Sequence, residues 1–574
     1  MVASRSDSDV KETNPMADVL DQARAWRDDD LDESTRAELT DLIERVEAGG
    51  PNADEATADL ADRFQSMLAF GTAGLRGRMG AGPHRMNRSV VIRASGGLSA
   101  YLHDEGGVDA PVVVIGFDAR VNSDVFARDT AAVVTAAGGT AYLLPSPLPT
   151  PVLAFAIGHL GADAGVMVTA SHNPAADNGY KVYLGDGSQI VPPADEEIAA
   201  HIAAVTSTGE VARADSGWHT AGDDVLEAYL DSVAAVVDPQ SSRELSLVHT
   251  ALHGVGADVI RRAFERAGFQ APAVVVEQEQ PDPAFSTVSF PNPEEIGAMD
   301  AALMLAESVH PDAVIANDPD ADRCAVAVPD PDGWRMLRGD EVGVLLGHHL
   351  IERGIDPAGE RTAFARSIVS SQLLGAMARA AGLPAVETLT GFKWIGRVPG
   401  LAYGYEEALG YCTDPARVPD KDGVSAALLM AELLAGLRAQ GRTVDDVLDD
   451  LAAEHGVYAT EAFSVRLDDV SLVPSMLQAL LDSPPTAVGG EPVRSVEDLD
   501  HPDGDLPPTP GVRFYLEDDT RIILRPSGTE PKLKVYIEAI VPVAKRSELS
   551  SARHTARERL DAVVSTMREL TSPA

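Results

Sequence analysis

Asp318-Pro319-Asp320-Ala321-Asp322-Arg323 places a carboxylate at every second position, and three such groups converge only if the backbone is pinned in a tight loop. The residues before it, Ala313-Val314-Ile315-Ala316-Asn317, read as a short buried strand, and Cys324-Ala325-Val326-Ala327-Val328 reads as the next. The loop therefore sits between two strands. A few oxygen ligands suit a hard divalent cation, Mg²⁺ above all, which keeps positions open for water or phosphate oxygens. A calcium loop of the EF-hand kind is excluded, because Arg323 stands where that loop needs Gly and Pro329 where it needs Glu. A solvated acidic turn is the plainer alternative.

Thr169-Ala170-Ser171-His172-Asn173-Pro174 follows the apolar run Gly165-Val166-Met167-Val168, which puts Ser171 at the carboxyl end of a buried strand, where open α/β sheets present ligands. No G-x-S-x-G elbow surrounds it, so a hydrolase triad is poorly supported. Gly404-Tyr405-Glu406-Glu407-Ala408-Leu409-Gly410 sets paired carboxylates between glycines, suited to accepting hydrogen bonds from vicinal sugar hydroxyls. Arg525-Pro526-Ser527-Gly528-Thr529-Glu530-Pro531 follows the strand run Arg521-Ile522-Ile523-Leu524 and combines a guanidinium, hydroxyls and a backbone-exposing Gly: an anion cradle. Singly, these are ordinary turns. Four of them, each at a strand end, make a site.

Through residues 71–82, 169–183, 318–323, 390–394, 404–411 and 525–538 the chain resembles the α-D-phosphohexomutase superfamily, the phosphoglucomutases and phosphomannomutases, with the motifs in family order across residues 55–570. The resemblance implies that Ser171 is a phosphoserine and that Asp318, Asp320 and Asp322 hold one Mg²⁺ per chain with a Ser171 phosphate oxygen. It implies that Glu406 and Glu407 contact sugar hydroxyls, and that Arg525, Ser527, Gly528, Thr529 and Lys534 grip the non-reacting phosphate. Gly71–Gly77, with Arg76, looks like the amino-terminal active-site loop, and Thr390, Gly391 and Lys393 belong to a loop that helps distinguish sugar faces. Arg323 stands beside the metal, and His172 and Lys181 are the candidates for proton transfer. The implied reaction interconverts glucose 1-phosphate and glucose 6-phosphate through a 1,6-bisphosphate, glucose 1,6-bisphosphate serving as activator. Mannose phosphate is the next substrate and pentose phosphate the third, and Ala408 stands where many relatives place Ser.

Two readings from other classes compete. A non-catalytic sugar-phosphate binding protein could dispense with Ser171 and the aspartates. A metal-dependent phosphatase using Asp318-x-Asp320 would leave Ser171 and the Glu406 loop without work. Lysine usage favours a real site: the 46 basic residues comprise 7 Lys against 39 Arg, and Lys181, Lys393, Lys421, Lys532 and Lys534 lie in or beside these loops. Ammonium and guanidinium differ in geometry and in how readily they titrate, so retained lysines mark positions where that difference matters.

With 574 residues the chain exceeds a single core. The expected fold is α/β: three similar mixed-sheet α/β domains plus a carboxyl-terminal α+β domain around a central cleft. The expected boundaries are an acidic helical extension over 1–54, with a helix around Thr35–Val46, then domains over 55–208, 209–323, 324–452 and 453–574. No apolar run approaches the ~20 residues that span a bilayer, and Met1–Met16 lacks the apolar stretch of a signal peptide. With only Cys324 and Cys412 there is no disulfide framework, and a cytoplasmic location is the expectation. A net charge of −43 argues against nucleic acid as a partner. The expected partners are small sugar phosphates, neither nucleic acid nor membrane, with the chain a monomer or dimer.

Overall fold

The computed structural model describes residues 15–71, 73–354, 359–467, 472–504, 506–527 and 532–572. Four sheets organise it. In the first, Val112–Phe117, Thr140–Leu143, Ala164–Val168 and His219–Thr220 run parallel, while Asp177–Leu184 pairs antiparallel with Ala164–Val168 and, at the edge, Gly74–Arg78 pairs antiparallel with Asp177–Leu184. The second joins Leu247–Thr250, Ala273–Val274 and Ala313–Ala316 in parallel and continues antiparallel through Ala325–Asp330 and Gly333–Met336. The third packs Ala385–Thr388, Ala363–Ser367 and Leu401–Glu406 in parallel, with Gly410–Cys412 antiparallel. The fourth is wholly antiparallel, Val457–Arg466 leading to Lys532–Val541, Arg521–Pro526, Val512–Leu516, Glu491–Asp498 and Ala487–Val488, with the helix Leu549–Leu570 packed on it. The expected architecture, three mixed-sheet α/β domains and a carboxyl-terminal α+β domain, is present.

One placement needs correction. The strand after the aspartate loop, read from sequence as opening the third unit at residue 324, pairs antiparallel with Ala313–Ala316 and completes the second sheet. An apolar run does not say whether the chain crosses over or doubles back. The tight turn at Asp318–Arg323 doubles it back. The sequence reading also missed the strand Asp177–Leu184, which carries Lys181, and two of the three helices, Pro15–Asp29, Glu33–Ala48 and Ala53–Arg63, that pack on the first domain.

Local signals explain the main helices. Asn87 caps Arg88–Asp104 by accepting from Val90 N at 2.9 Å. Asp422 caps Gly423–Ala439 by accepting from Val424 N and Ser425 N at 2.9 and 3.1 Å, which also fixes its neighbour Lys421 at the helix entrance. That helix is buried nearly all round and joins Thr150–Leu160, Asp223–Ala234, Gly256–Arg266 and Gly339–Arg353 in the largest apolar core, which runs continuously through the first three domains. The first three sheets are thus held together by one core, and the fourth has its own.

Candidate active site

Ser171 lies just beyond the carboxyl end of Ala164–Val168 in a left-handed conformation, φ 52°, which costs a non-glycine residue strain energy. The surroundings impose it. Thr169 Oγ1 donates to Asp118 Oδ2 at 2.7 Å and accepts from Ser171 N at 2.9 Å. The guanidinium of Arg120, paired with Asp118 at 3.2 Å, donates to the carbonyls of Ser171, Asn173 and Pro174 at 2.5, 2.7 and 2.8 Å. So held, Ser171 Oγ donates to Asp318 Oδ2 at 3.0 Å and lies 3.1 Å from His172 Nδ1. The serine loop of the first domain meets the aspartate loop of the second.

Asp318, Asp320 and Asp322 are fully buried, with one oxygen from each lying within 4.8 Å of the others. Lys181 Nζ donates to Asp320 Oδ2 at 2.7 Å and to Asp322 Oδ2 at 3.0 Å, Lys421 Nζ pairs with Asp322 Oδ2 at 3.0 Å, and Thr150 Oγ1 donates to Asp320 Oδ2 at 2.7 Å. Asp320 Oδ1 and Asp322 Oδ1 are buried without a hydrogen-bond partner. Orphaned carboxylate oxygens of this kind, converging with Asp318, are the donor set a hard cation takes. The residues therefore fit Mg²⁺.

The electrostatics follow from burial and neighbours. Burial, reinforced by Asp320 and Asp322, pushes the Asp318 carboxyl well above its ordinary range. Burial acts the same way on Asp322, but Lys181, Lys421 and Arg323 outweigh it and hold that carboxyl far below. Burial draws the Lys181 ammonium down, yet Asp320 and Asp322 more than reverse this, so it stays charged. His172 is pushed well below its ordinary value by burial and then by Arg323 and Arg76, so it is neutral at pH 7.

The third domain adds its loops beside these. Arg323 Nη1 donates to Ala408 O at 3.1 Å and Cys324 N to Leu409 O at 3.1 Å, tying the aspartate loop to the paired-glutamate loop. Glu406 Oε1 accepts from Gly391 N at 2.5 Å, and Glu407 Oε2 from Ser370 Oγ at 2.9 Å. Burial, then Glu406, raises the Glu407 carboxyl, with Lys534 of the fourth domain among the groups that counter it. Lys393 follows Gly391 in the same loop as Thr390, its Nζ 5.5 Å from the Trp394 ring centre, and burial lowers its pKa. Arg76, on the strand Gly74–Arg78 rather than in the loop expected from sequence, reaches Asn173 Oδ1 at 3.2 Å. Arg525 stands opposite Lys534 in the fourth sheet, and Ser527 N donates to Lys532 O at 2.8 Å. Gly528 and Thr529 lie outside the described residues.

Thus Ser171, His172, Lys181, Arg76, Arg323 and the three aspartates come together, with Glu406, Glu407 and the Thr390–Lys393 loop on the adjoining wall. Sequence reasoning did not select Asp118, Arg120 and Thr150, isolated polar residues whose partners are distant in the chain. It noticed Lys421 only through the scarcity of lysine. A cavity of about 510 Å³, lined by Arg335, Asp340, Ser371, Tyr458 and Arg557 among others, lies at the joint of the third and fourth domains rather than at Ser171. Geometry, not cavity size, identifies the site.

Residues 67–209, 227–333 and 338–455 match the alpha/beta/alpha domains I, II and III of the phosphoglucomutase/phosphomannomutase family, and residues 473–548 match its C-terminal domain. The chain belongs to this family. A Haemophilus influenzae protein named "Probable phosphomannomutase" is 46% identical over 460 residues, covering 79% of this chain and 93% of that one. A Homo sapiens "Phosphopentomutase" is 34% identical over 543 residues, 84% of this chain and 87% of that one. Among solved structures, a Thermus thermophilus protein provisionally named a phosphomannomutase aligns with a TM-score of 0.66 at 26% identity over 86% of this chain and 99% of that one. As a member of this family the chain is an enzyme, a mutase that transfers phosphate intramolecularly. Among its described residues, no helix is long and apolar enough to cross a membrane.

Proposed function

We propose that this mutase interconverts glucose 1-phosphate and glucose 6-phosphate through phosphoserine at position 171. The observation that carries the reading is the position of Ser171 Oγ, strained, 2% exposed and 3.0 Å from Asp318, where loops from the first three domains converge. Phosphorylated Ser171 would transfer its phosphoryl group to a free sugar hydroxyl, the Ser Oγ–P bond breaking as the sugar O–P bond forms. The hydroxyl proton passes by way of His172, which is neutral with Nδ1 3.1 Å from Ser171 Oγ, to the departing serine oxygen, so that Ser171 leaves as the free hydroxyl. The 1,6-bisphosphate then turns over in the cleft, and its other phosphate returns to Ser171.

Asp318, Asp320 and Asp322 would hold one Mg²⁺, which when bound neutralises charge on the phosphoryl oxygens in the transition state. Lys181 and Lys421 supply fixed positive charge to the same carboxylates, a role that suits ammonium groups kept ionised by Asp320 and Asp322. Glu406 and Glu407 orient the sugar through its hydroxyls. Arg76 and Arg323 face the phosphoryl group in transit, while Thr390, Gly391 and Lys393 read the sugar, and Arg525, Ser527, Gly528, Thr529 and Lys534 hold the remote phosphate. A cytoplasmic enzyme whose partners are small sugar phosphates fits a chain with two free, buried cysteines.

The family models that match all four domains are named for hexose enzymes, which favours a hexose phosphate. The human relative favours a second reading, transfer between O1 and O5 of a pentose phosphate. Glucose, mannose and ribose 1-phosphates assayed side by side with bisphosphate primer decide the substrate. Peptide mapping after incubation with glucose 1,6-bisphosphate decides the nucleophile: phosphate on another residue, with Ser171→Ala fully active, overturns the mechanism.

A further inference from the structure

The fourth domain grips the third through a buried ion pair that no step above uses. Arg521 and Glu538 are cross-strand neighbours, 2% and 1% exposed, with Nη2 and Oε2 3.1 Å apart. Both reach out of their own sheet to residues 368–372, between the strand Ala363–Ser367 and the helix Leu373–Ala380. Arg521 donates to Ile368 O at 2.6 Å and to Ser370 O at 2.8 Å. Glu538 Oε1 accepts from Ser371 Oγ at 2.7 Å and Gln372 N at 2.9 Å, and its Oε2 accepts from Gln372 Nε2 at 2.9 Å. Ile523, on the same strand face as Arg521, packs on Ile368, Val369 and Leu389.

The clamped segment supports the sugar-reading carboxylate. Ser370 Oγ donates to Glu407 Oε2 at 2.9 Å and accepts from Glu407 N at 3.1 Å, and Ser367 Oγ stands 3.3 Å from the same oxygen. Ser371 N donates to Asp340 Oδ1 at 2.7 Å, the oxygen that also accepts from the hydroxyl of Tyr405, one residue before Glu406, at 2.8 Å. Two short chains of contacts therefore run from Arg521 and Glu538 to the Glu406–Glu407 loop. The strand Arg521–Pro526 holds Arg521 and Arg525 on one face, so the phosphate-reading end and the clamp share one rigid element.

We infer that Arg521 and Glu538 are positioning residues that set Glu407 for the sugar and couple it to the phosphate grip of the fourth domain. Buried charges with every direction occupied have few alternative arrangements, so the clamp fixes segment 368–372 to within a hydrogen bond's tolerance. Residue placement of that order governs how well a carboxylate meets a hydroxyl. The inference rests on the reading that Glu407 contacts the sugar.

The test compares Glu407→Gln, Glu538→Gln, their double variant and Ser370→Ala, each assayed with whichever of the glucose, mannose and ribose 1-phosphates the wild type turns over. Glu538→Gln is expected to raise KM by about tenfold, the scale of one charge-assisted hydrogen bond, with kcat changed less than about twofold. The double variant is expected to have a KM no higher than that of Glu407→Gln, because linked residues are not additive. Ser370→Ala, which leaves the ion pair intact, is expected to raise KM similarly and serves if Glu538→Gln does not fold. A merely structural loss lowers apparent kcat by removing folded enzyme and leaves KM in place. If Glu407→Gln raises KM while Glu538→Gln and Ser370→Ala do not, or if the effects of Glu407→Gln and Glu538→Gln multiply, the coupling is overturned and the sugar contact stands. If Glu407→Gln itself leaves KM unchanged, the sugar contact is what has failed, and the coupling falls with it.

Discussion

Ser171 is a hydroxyl held in a costly backbone conformation by Thr169 and Arg120, and the strain is spent on aiming Oγ at Asp318. Ser171→Ala removes the acceptor of the phosphoryl group and leaves the Glu406 and Arg525 loops untouched. Turnover should vanish while glucose 1-phosphate still binds, a separation that calorimetric titration beside a coupled assay reads directly. Asp320 presents a different case. Its Oδ2 is occupied by Lys181 and Thr150 while Oδ1 has no partner, so Asp320→Asn should weaken Mg²⁺ binding more than it disturbs packing. Because the ion acts on transition-state charge, kcat should fall by about a hundredfold or more with a smaller rise in KM. Full activity in excess chelator would remove the metal from the mechanism.

At the scale of elements, what could be read from sequence was contiguous chemistry. The serine, aspartate and glutamate motifs each sit within a few residues at a strand end, and the structure brings them together. Asp118 and Arg120 were not legible, since the carbonyls that Arg120 fixes lie some fifty residues away. The assignment of Ala325–Asp330 to the wrong sheet has the same root, because strand partners are tertiary facts.

Glu432 shows such a tertiary fact with a measurable consequence. From the helix Gly423–Ala439, only 2% exposed, it accepts from Asp238 N at 2.6 Å, Ser241 Oγ at 2.8 Å, His349 Nε2 at 2.8 Å and Arg353 Nη1 at 2.9 Å. Burial raises its carboxyl, but His349 and the Asp238 N–H outweigh this and hold it down to about 2, against 4.5 unperturbed. The native pKa lies below the unfolded one, so the unfolded state binds more protons between these values. The contribution to stability is therefore complete above about pH 4.5 and lost as pH falls towards 2. Glu432→Gln should cost about 2–3 kcal/mol near neutrality, with a difference from wild type that shrinks across that acid window in urea titrations. A difference independent of pH would mean that Glu432 acts by packing alone.

The whole molecule carries a net charge of −43 and yet must capture anionic substrates. Over a Debye length of about 8 Å at physiological salt, the distant acidic surface is screened, and the cations within the cleft decide the local potential. The fourth domain contributes Arg525 and Lys534, side by side across neighbouring strands, at the end of the element that Arg521 anchors to the third domain. If Arg525 holds the phosphate that is not being transferred, Arg525→Ala should weaken glucose 1-phosphate by about 1.5–3 kcal/mol, roughly 10- to 150-fold, while phosphorylation of Ser171 by bisphosphate at saturation persists. Arg525→Lys should recover only part of the loss, because an ammonium keeps the charge without the two-pronged fork. Titration with glucose 1-phosphate and with unphosphorylated glucose separates phosphate recognition from general damage. In the wild type the first should bind far more tightly, and in Arg525→Ala the ratio should collapse mainly through loss of the phosphorylated ligand. An unchanged ratio would mean that Arg525 does not read phosphate, and the fourth domain would then contribute to the site only through its clamp on segment 368–372.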